Sequence, residues 1–187
     1  MRIREATLPG VRVIEPQPVG DERGFFVRTL DFDALREAGV EPTDFVQQNQ
    51  SRSRRYVLRG LHLRAAPGEA KLVRCARGRI FDVVVDLRPW SPAFGSWESF
   101  VLDDKQHRQV YVPRGFGHGF QVLSEVADVC YHHDARYDAS AEAAVAWDDP
   151  TIGITWPHRP STLSDRDRTA PRLEKLLPEL RRWFPAS

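Results

Sequence analysis

Short runs of β-branched and aromatic residues recur along the chain between Gly, Pro and Asp punctuation: VRVIE, GFFVRT, FVQQNQ, YVLRGLHL, KLVRCA, IFDVVVDL, SWESFVL, RQVYVP, GHGFQVL and DVCYHH. Runs of this length and spacing predict an all-β sandwich or barrel rather than alternating β and α units. Helical patterning is confined to two places. DFDALREAG (31–39) offers an Asp cap, apolar Phe32 and Leu35, and a closing Gly39. LEKLLPELRRW is apolar at Leu173, Leu176, Leu177 and Leu180, and Pro178 is expected to break or restart it. Both read as short peripheral helices. No repeat, low-complexity tract or linker divides the chain, so residues 1–187 are expected to form a single domain around one core. Edge strands need protection, and pairing with a second copy is a common solution, so a homodimer is expected.

Composition narrows the function classes. Apolar residues make up 41% of the 187 and charged residues 28%, near globular averages. Lys plus Arg (27) nearly cancels Asp plus Glu (26), which argues against binding nucleic acid through a broad basic face; any positive site must be local. There is no run of about 18 apolar residues to span a membrane. The first residues, MRIREATLPGVRVIEP, lack the apolar stretch of a signal peptide, so a soluble cytoplasmic protein is expected. Cys75 and Cys130 sit inside strand-like runs without metal-ligand spacing and read as buried free thiols.

One stretch carries chemistry that this balance does not require. VLRGLHLRAAPGEAKLVR, residues 57–74, places Arg59, His62, Lys71 and Arg74 in strand-like sequence. In AKLVRCA, period-2 alternation puts Lys71, Val73 and Cys75 on one face and Leu72 and Arg74 on the other. Lys71 therefore either faces solvent on an edge or is buried beside an oxygen that carries or develops negative charge. His62 follows Gly60, and His118 lies among Gly115, Gly117 and Gly119 in YVPRGFGHGFQVL. Either histidine can be structural, and together they raise the possibility of a metal site. A metal-binding β-barrel of the cupin type places a second histidine two residues after the first. Here the run is His62, Leu63, Arg64, and an arginine repels a cation, so no metal is expected. Proton abstraction beside a ketone fits better, with a histidine base and a cation to stabilise the enolate. Candidate carboxylates include Asp165 and Asp167 in LSDRD, and candidate acids are Tyr131 and Tyr137. Arg23 and Arg59, each before a glycine, carry forked guanidinium groups suited to a diphosphate.

At this point the motifs resemble one family, the nucleotide-sugar epimerases typified by dTDP-4-dehydrorhamnose 3,5-epimerase. The resemblance rests on DERGFF, FVQQNQSRS, VLRGLHL, EAKLVRCARGRIFDVVVDLR, YVPRGFGHGF, the 131–137 segment, WDDPTIGITWP and LSDRD, in order from about residue 3 to 172. It implies a cupin-like jelly roll used as a homodimer without metal or organic cofactor. The implied substrate is a nucleoside-diphosphate 4-keto-6-deoxy-hexose, epimerised at C3 and C5. By the same resemblance His62 is the base, Asp167 its partner, Lys71 the enolate stabiliser and Tyr131 the acid. Arg23, Arg59 and His118 resemble residues around the diphosphate and sugar. Gln47, Gln48, Asn49 and Glu142 match positions that bind the nucleotide, and Tyr137 the tyrosine that stacks on its base. The chain departs from the pattern in three places: Arg28 stands where a nucleotide-contacting glutamate is usual, HFQ or HYQ becomes HLR, and Tyr131 is followed by His132 and His133 where a lysine is common. The alternatives are a mono-epimerase acting at C3 or C5 only, and a non-catalytic jelly roll that merely binds nucleotide sugars.

A conflict of geometry also follows. Strict alternation puts Arg59 and His62 on opposite faces of their strand, yet this chemistry needs both in one cavity. Gly60 is therefore expected to permit a bulge that re-aims one of them.

Overall fold

The computed structural model describes residues 1–41 and 44–186. With strands numbered in chain order, one sheet has six, in the order β1 (Arg2–Glu5), β2 (Arg12–Glu15), β10 (Gln109–Val112), β7 (Lys71–Arg77), β12 (Val126–His133) and β5 (Gln47–Arg54). The facing sheet has five, in the order β13 (Glu142–Ala144), β6 (Leu58–Arg64), β11 (Phe116–Val122), β8 (Arg79–Asp86) and β9 (Trp97–Asp103). Neighbouring strands are antiparallel throughout, and from β5 onward the chain passes repeatedly from one sheet to the other. This is the jelly roll that the sequence predicts, closed without parallel crossovers. β3 (Val19–Asp21) and β4 (Gly24–Phe26) form a separate hairpin whose side chains are exposed, so the expected strand over GFFVRT stops at Phe26.

The alternation of residue types assigns each strand its faces. In β7, Val73 and Cys75 point between the sheets, where they join Val84, Leu102, Val110 and Val129 in the central core. Leu72 points out, to a cluster with Ile14, Leu35 and Val40 beneath α1 (Phe32–Glu37). In β8, Val83 and Val85 likewise point away from the sandwich, toward Leu61, Leu63 and the C-terminal helix. The expected single core is thus three: the sandwich interior and one apolar layer outside each sheet. The strand residues carry apolar side chains on both faces, and short helices cover what one interior cannot bury.

Those helices begin much as the sequence indicates. Asp31 caps α1, its side chain accepting the Ala34 N–H at 3.2 Å, and Leu35 is buried. α2 is a single turn, Asp165–Arg168, capped by Ser164. α3 runs unbroken over Leu173–Trp183, through Pro178, contrary to the expected interruption. Proline removes one N–H from the helix ladder, but Leu173, Leu176 and Leu180 are buried against the five-stranded sheet, and that packing holds the helix together. Among the described residues no helix is long and apolar enough to cross a membrane.

Candidate active site

A cavity of about 240 Å³ opens between the sheets, near the paired ends of β7 and β12 where Lys71 lies opposite His133. Its walls come from β5, β6, β7, β11 and β12, so residues far apart in sequence face one another.

β6 contributes His62 and Arg59, and the expected irregularity lies between them. In the pairing with β11, His62 faces His118 and Arg59 faces Phe120, so three steps along β6 match two along β11. The extra residue turns Arg59 inward, and both side chains line the cavity. Gly60 has φ +135°, and a Cβ there would lie 2.6 Å from the Gly119 Cα, closer than two strands carrying side chains can approach. Arg59 Nε donates to Ser53 Oγ at 2.9 Å.

Three histidines in the cavity each meet a carboxylate. His62, 29% exposed on its side chain, donates from Nε2 to Asp167 Oδ1 at 2.6 Å. Asp167 is buried in α2, and its own backbone N–H donates to the capping Ser164 Oγ at 3.1 Å. Burial raises the Asp167 pKa, but the hydrogen bond and charge of His62, with the Ser164 hydroxyl and the Gly60 backbone, hold it below the usual carboxylate range. Asp165, the other carboxylate of LSDRD, is fully exposed and faces Arg168. His118, buried on β11, donates from Nε2 to Asp82 Oδ1 at 2.8 Å, so the flanking glycines admit close packing rather than exposing it. His133 donates from Nδ1 to Glu69 Oε1 at 2.7 Å.

Lys71 is not on an edge. β7 lies between β10 and β12, and the Lys71 side chain is mostly buried in the cavity wall, 3.4 Å from Glu69 Oε1. Glu69 would be pushed up by its burial, but the hydrogen bond from His133 and the charge of Lys71 keep it below the usual range, so it is ionised. Tyr131 stands beside these groups on the same sheet, its ring 5.8 Å from that of His133 and edge-on to His118 at 6.2 Å, its hydroxyl 3.2 Å from Ser51 Oγ. Burial drives the Tyr131 pKa well above the usual phenol value, so its O–H stays protonated and available as a donor.

At the mouth, Tyr137 is 68% exposed, and its backbone N–H donates to Gln47 Oε1 at 2.9 Å. Asn49 and Glu142 also line the opening, and Glu142 accepts from Arg166 at 2.8 Å. The remaining predicted residues lie elsewhere on this chain. Gln48 is exposed and does not line the cavity, because alternation along β5 separates it from Gln47 and Asn49. Arg23 sits on the exposed hairpin, paired with Asp21, and Arg28 pairs with Asp31 at 2.8 Å.

Glu69, His133, Ser51, Asp82 and Phe120 belong to the site or its support without having been given a part in the proton chemistry by sequence, where Glu69 stood only as a possible partner in a metal site. His133 shares a face with Tyr131 two residues earlier, a spacing that was readable. Glu69 and Asp82 reveal themselves only once the sheets bring histidines to them. Among the described residues no three His, Cys, Asp or Glu side chains gather in a metal-holding group. Cys75 and Cys130 are free and buried, and burial pushes the Cys75 thiol up to about 12.

Comparison with known proteins places this arrangement. Residues 5–175 match the family model described as dTDP-4-dehydrorhamnose 3,5-epimerase. A protein of that name from Salmonella typhimurium is 42% identical over 179 residues, covering 95% of this chain and 98% of the relative. A dTDP-4-dehydrorhamnose 3-epimerase from Streptomyces niveus is 43% identical over 171 residues, covering 91% of this chain and 83% of the relative. Among solved structures, dTDP-6-deoxy-D-glucose-3,5-epimerase from Legionella pneumophila, in complex with dTDP-4-keto-L-rhamnose, superposes with TM-score 0.90 at 40% identity, covering 96% of each chain.

Proposed function

The chain belongs to the dTDP-4-dehydrorhamnose 3,5-epimerase family of isomerases, and from this we propose that it inverts C3 and C5 of a nucleoside-diphosphate 4-keto-6-deoxy-hexose, with dTDP-4-keto-6-deoxyglucose the first substrate to test. The carrying observation is convergence: a histidine–carboxylate pair, an ammonium and a protonated phenol share one cavity.

A carbon beside a ketone inverts only through a planar intermediate reprotonated on its other face. Asp167 holds His62 at Nε2, which leaves the second ring nitrogen to take the proton from the carbon next to C4. The electron pair moves into the ketone, and the oxygen becomes an enolate. Lys71 faces that oxygen with a fixed positive charge in a partly dry site, where such a contact is worth most. Tyr131 then gives its proton to the opposite face, and proton exchange with solvent resets both groups. One C–H bond breaks and one forms, so no oxidant or reductant enters.

Arg59 and His118 line the inner cavity, toward the sugar and diphosphate, while Gln47, Asn49, Glu142 and Tyr137 surround the mouth that the nucleotide crosses. Arg23 and Arg28 complete the site from a second copy of the chain. Their support is the hairpin that carries or adjoins them, which leaves Val19, Phe25 and Phe26 exposed, Phe26 at 77%. In such a homodimer, mixing inactive His62→Ala with inactive Arg23→Ala protein restores activity to a fraction of sites. No restoration after subunit exchange argues against a shared site. The cytoplasm is the proposed location, consistent with two cysteines left as thiols.

The test is incubation with dTDP-4-keto-6-deoxyglucose in D2O, followed by proton NMR. Loss of the C3 and C5 proton signals with formation of the L-rhamno ketone is expected. Active exchange at C3 alone would favour the mono-epimerase reading, which the Streptomyces niveus relative and the HLR and YHH departures support. No exchange at either carbon overturns the proposal for this substrate.

A further inference from the structure

Two cavity residues have no part in the chemistry above. Glu69 Oε1 is approached by two donors at once: His133 Nδ1 at 2.7 Å and Lys71 Nζ at 3.4 Å. The histidine holds the shorter contact and the lysine the longer one. Arg64 lies 3.8 Å from the other carboxylate oxygen, so that side of Glu69 is also engaged.

The far side of His133 fixes which nitrogen carries the hydrogen. Its Nε2 lies 3.4 Å from Asn49 Nδ2, while Asn49 Oδ1 accepts from Gln47 Nε2 at 3.2 Å. Gln47 Oε1 in turn accepts the Tyr137 backbone N–H. An amide nitrogen can only donate, so Nε2 accepts and Nδ1 donates to Glu69. The donors run in one direction from the mouth of the cavity, through Tyr137, Gln47, Asn49 and His133, and end at Glu69, to which Lys71 donates from the other side.

We propose that His133 and Glu69 are positioning residues for Lys71: neutral His133 occupies the Glu69 oxygen on which the ammonium would otherwise close, leaving Lys71 directed into the cavity. The inference rests on the proposed role of Lys71 as enolate stabiliser. A lysine drawn into a tight buried ion pair has its charge answered by the carboxylate and offers less to a developing oxyanion. A lysine held at 3.4 Å from an oxygen that His133 already occupies keeps its tether with less of that loss. Because this run of donors starts at residues around the mouth, a nucleotide contacting Gln47 or Asn49 also acts on the hydrogen bond that holds His133.

Steady-state kinetics with dTDP-4-keto-6-deoxyglucose test this through a pattern that a merely structural role would not give. His133→Ala should lower kcat about tenfold, a partial version of losing an oxyanion donor, with KM changed by less than about twofold. His133→Asn places an amide N–H where Nδ1 was and should recover most of the loss, whereas His133→Gln places it where Nε2 was and should not. Adding Glu69→Gln to His133→Ala removes the carboxylate that traps Lys71, so the double variant should turn over faster than His133→Ala alone. A loss confined to KM, equal recovery by Asn and Gln, or a double variant slower than the single one would each overturn the proposal. Nitrogen-15 imidazole shifts of the resting protein test it without substrate: hydrogen on Nδ1 is expected, and hydrogen on Nε2 contradicts it. Wild-type protein inactive on nucleotide 4-keto sugars would count against the proposed function instead.

Discussion

β7 and β12 each have two ends, and the ends obey different rules. Around Cys75, Val129 and Ala127 the inward side chains are apolar, buried and interchangeable in kind, and they pack by volume alone. A few residues along the same strands, Lys71, Tyr131 and His133 point into the same interior, and each is matched to a particular partner. His62 with Asp167 and His118 with Asp82 repeat the rule on the facing sheet. A buried polar group is costly unless paired, so the cavity end is held by specific pairs where the core end is held by area. Damage at the core end should appear as stability lost with chemistry intact. At the cavity end the chemistry should fail in a fold that still stands.

The largest effect that sharpens this contrast is His62→Ala, which should lower kcat/KM by about 10²–10⁴, the usual contribution of a positioned base, while the protein, less stable for the lost partner of Asp167, still folds. Equal losses of activity and stability would break the distinction. Leu102→Ala, in the central core, should cost about 2–5 kcal/mol in denaturant unfolding and leave kcat of the folded fraction unchanged. Gly60→Ala sits where the regions meet. Its Cβ would press on Gly119, so about 1–3 kcal/mol of stability should go together with kcat, because Arg59 and His62 both depend on the bulge. A variant that loses neither removes Gly60 from the account.

The smallest effects are in pH. Asp167 has a folded pKa below its ordinary 3.8, so its stabilisation is present above about pH 4 and is lost as pH falls through the lowered value. His62→Ala should weaken that acid dependence in a pH series of thermal melts. Tyr131 has a folded pKa above its ordinary 10.0, so its contribution is complete below pH 10 and declines as pH rises beyond. Tyr131→Phe should flatten the alkaline decline, and an unchanged slope would mean that the phenol is not the group concerned.

Much of the core end was legible in the sequence, because it depends on neighbours. Period-2 alternation in KLVRCA placed Lys71, Val73 and Cys75 on one face, which the structure turns inward, and the conflict between Arg59 and His62 pointed to a bulge at Gly60. The pairs at the cavity end were not legible in that way. Asp167 meets His62 from 105 residues away, and only family resemblance joined them beforehand. The pairing of Glu69 with His133 was not readable, because it depends on β12 lying beside β7 and no local pattern encodes sheet order. Local rules also failed at Pro178, where burial of three leucines outweighs a missing N–H. They failed again in the expectation of one core, since residues on outward strand faces gather layers of their own.

The central claim is that proton removal and proton return are divided between two faces of the sugar, with His62 on one and Tyr131 on the other. A single-turnover experiment with Tyr131→Phe in D2O, reading deuterium uptake and stereochemistry at C3 in the same NMR spectrum, separates the two steps. The account predicts deuterium entering at C3 with retention, because His62 still exchanges its proton with solvent while the opposite face has no donor. Inversion at the wild-type rate in that variant would contradict it.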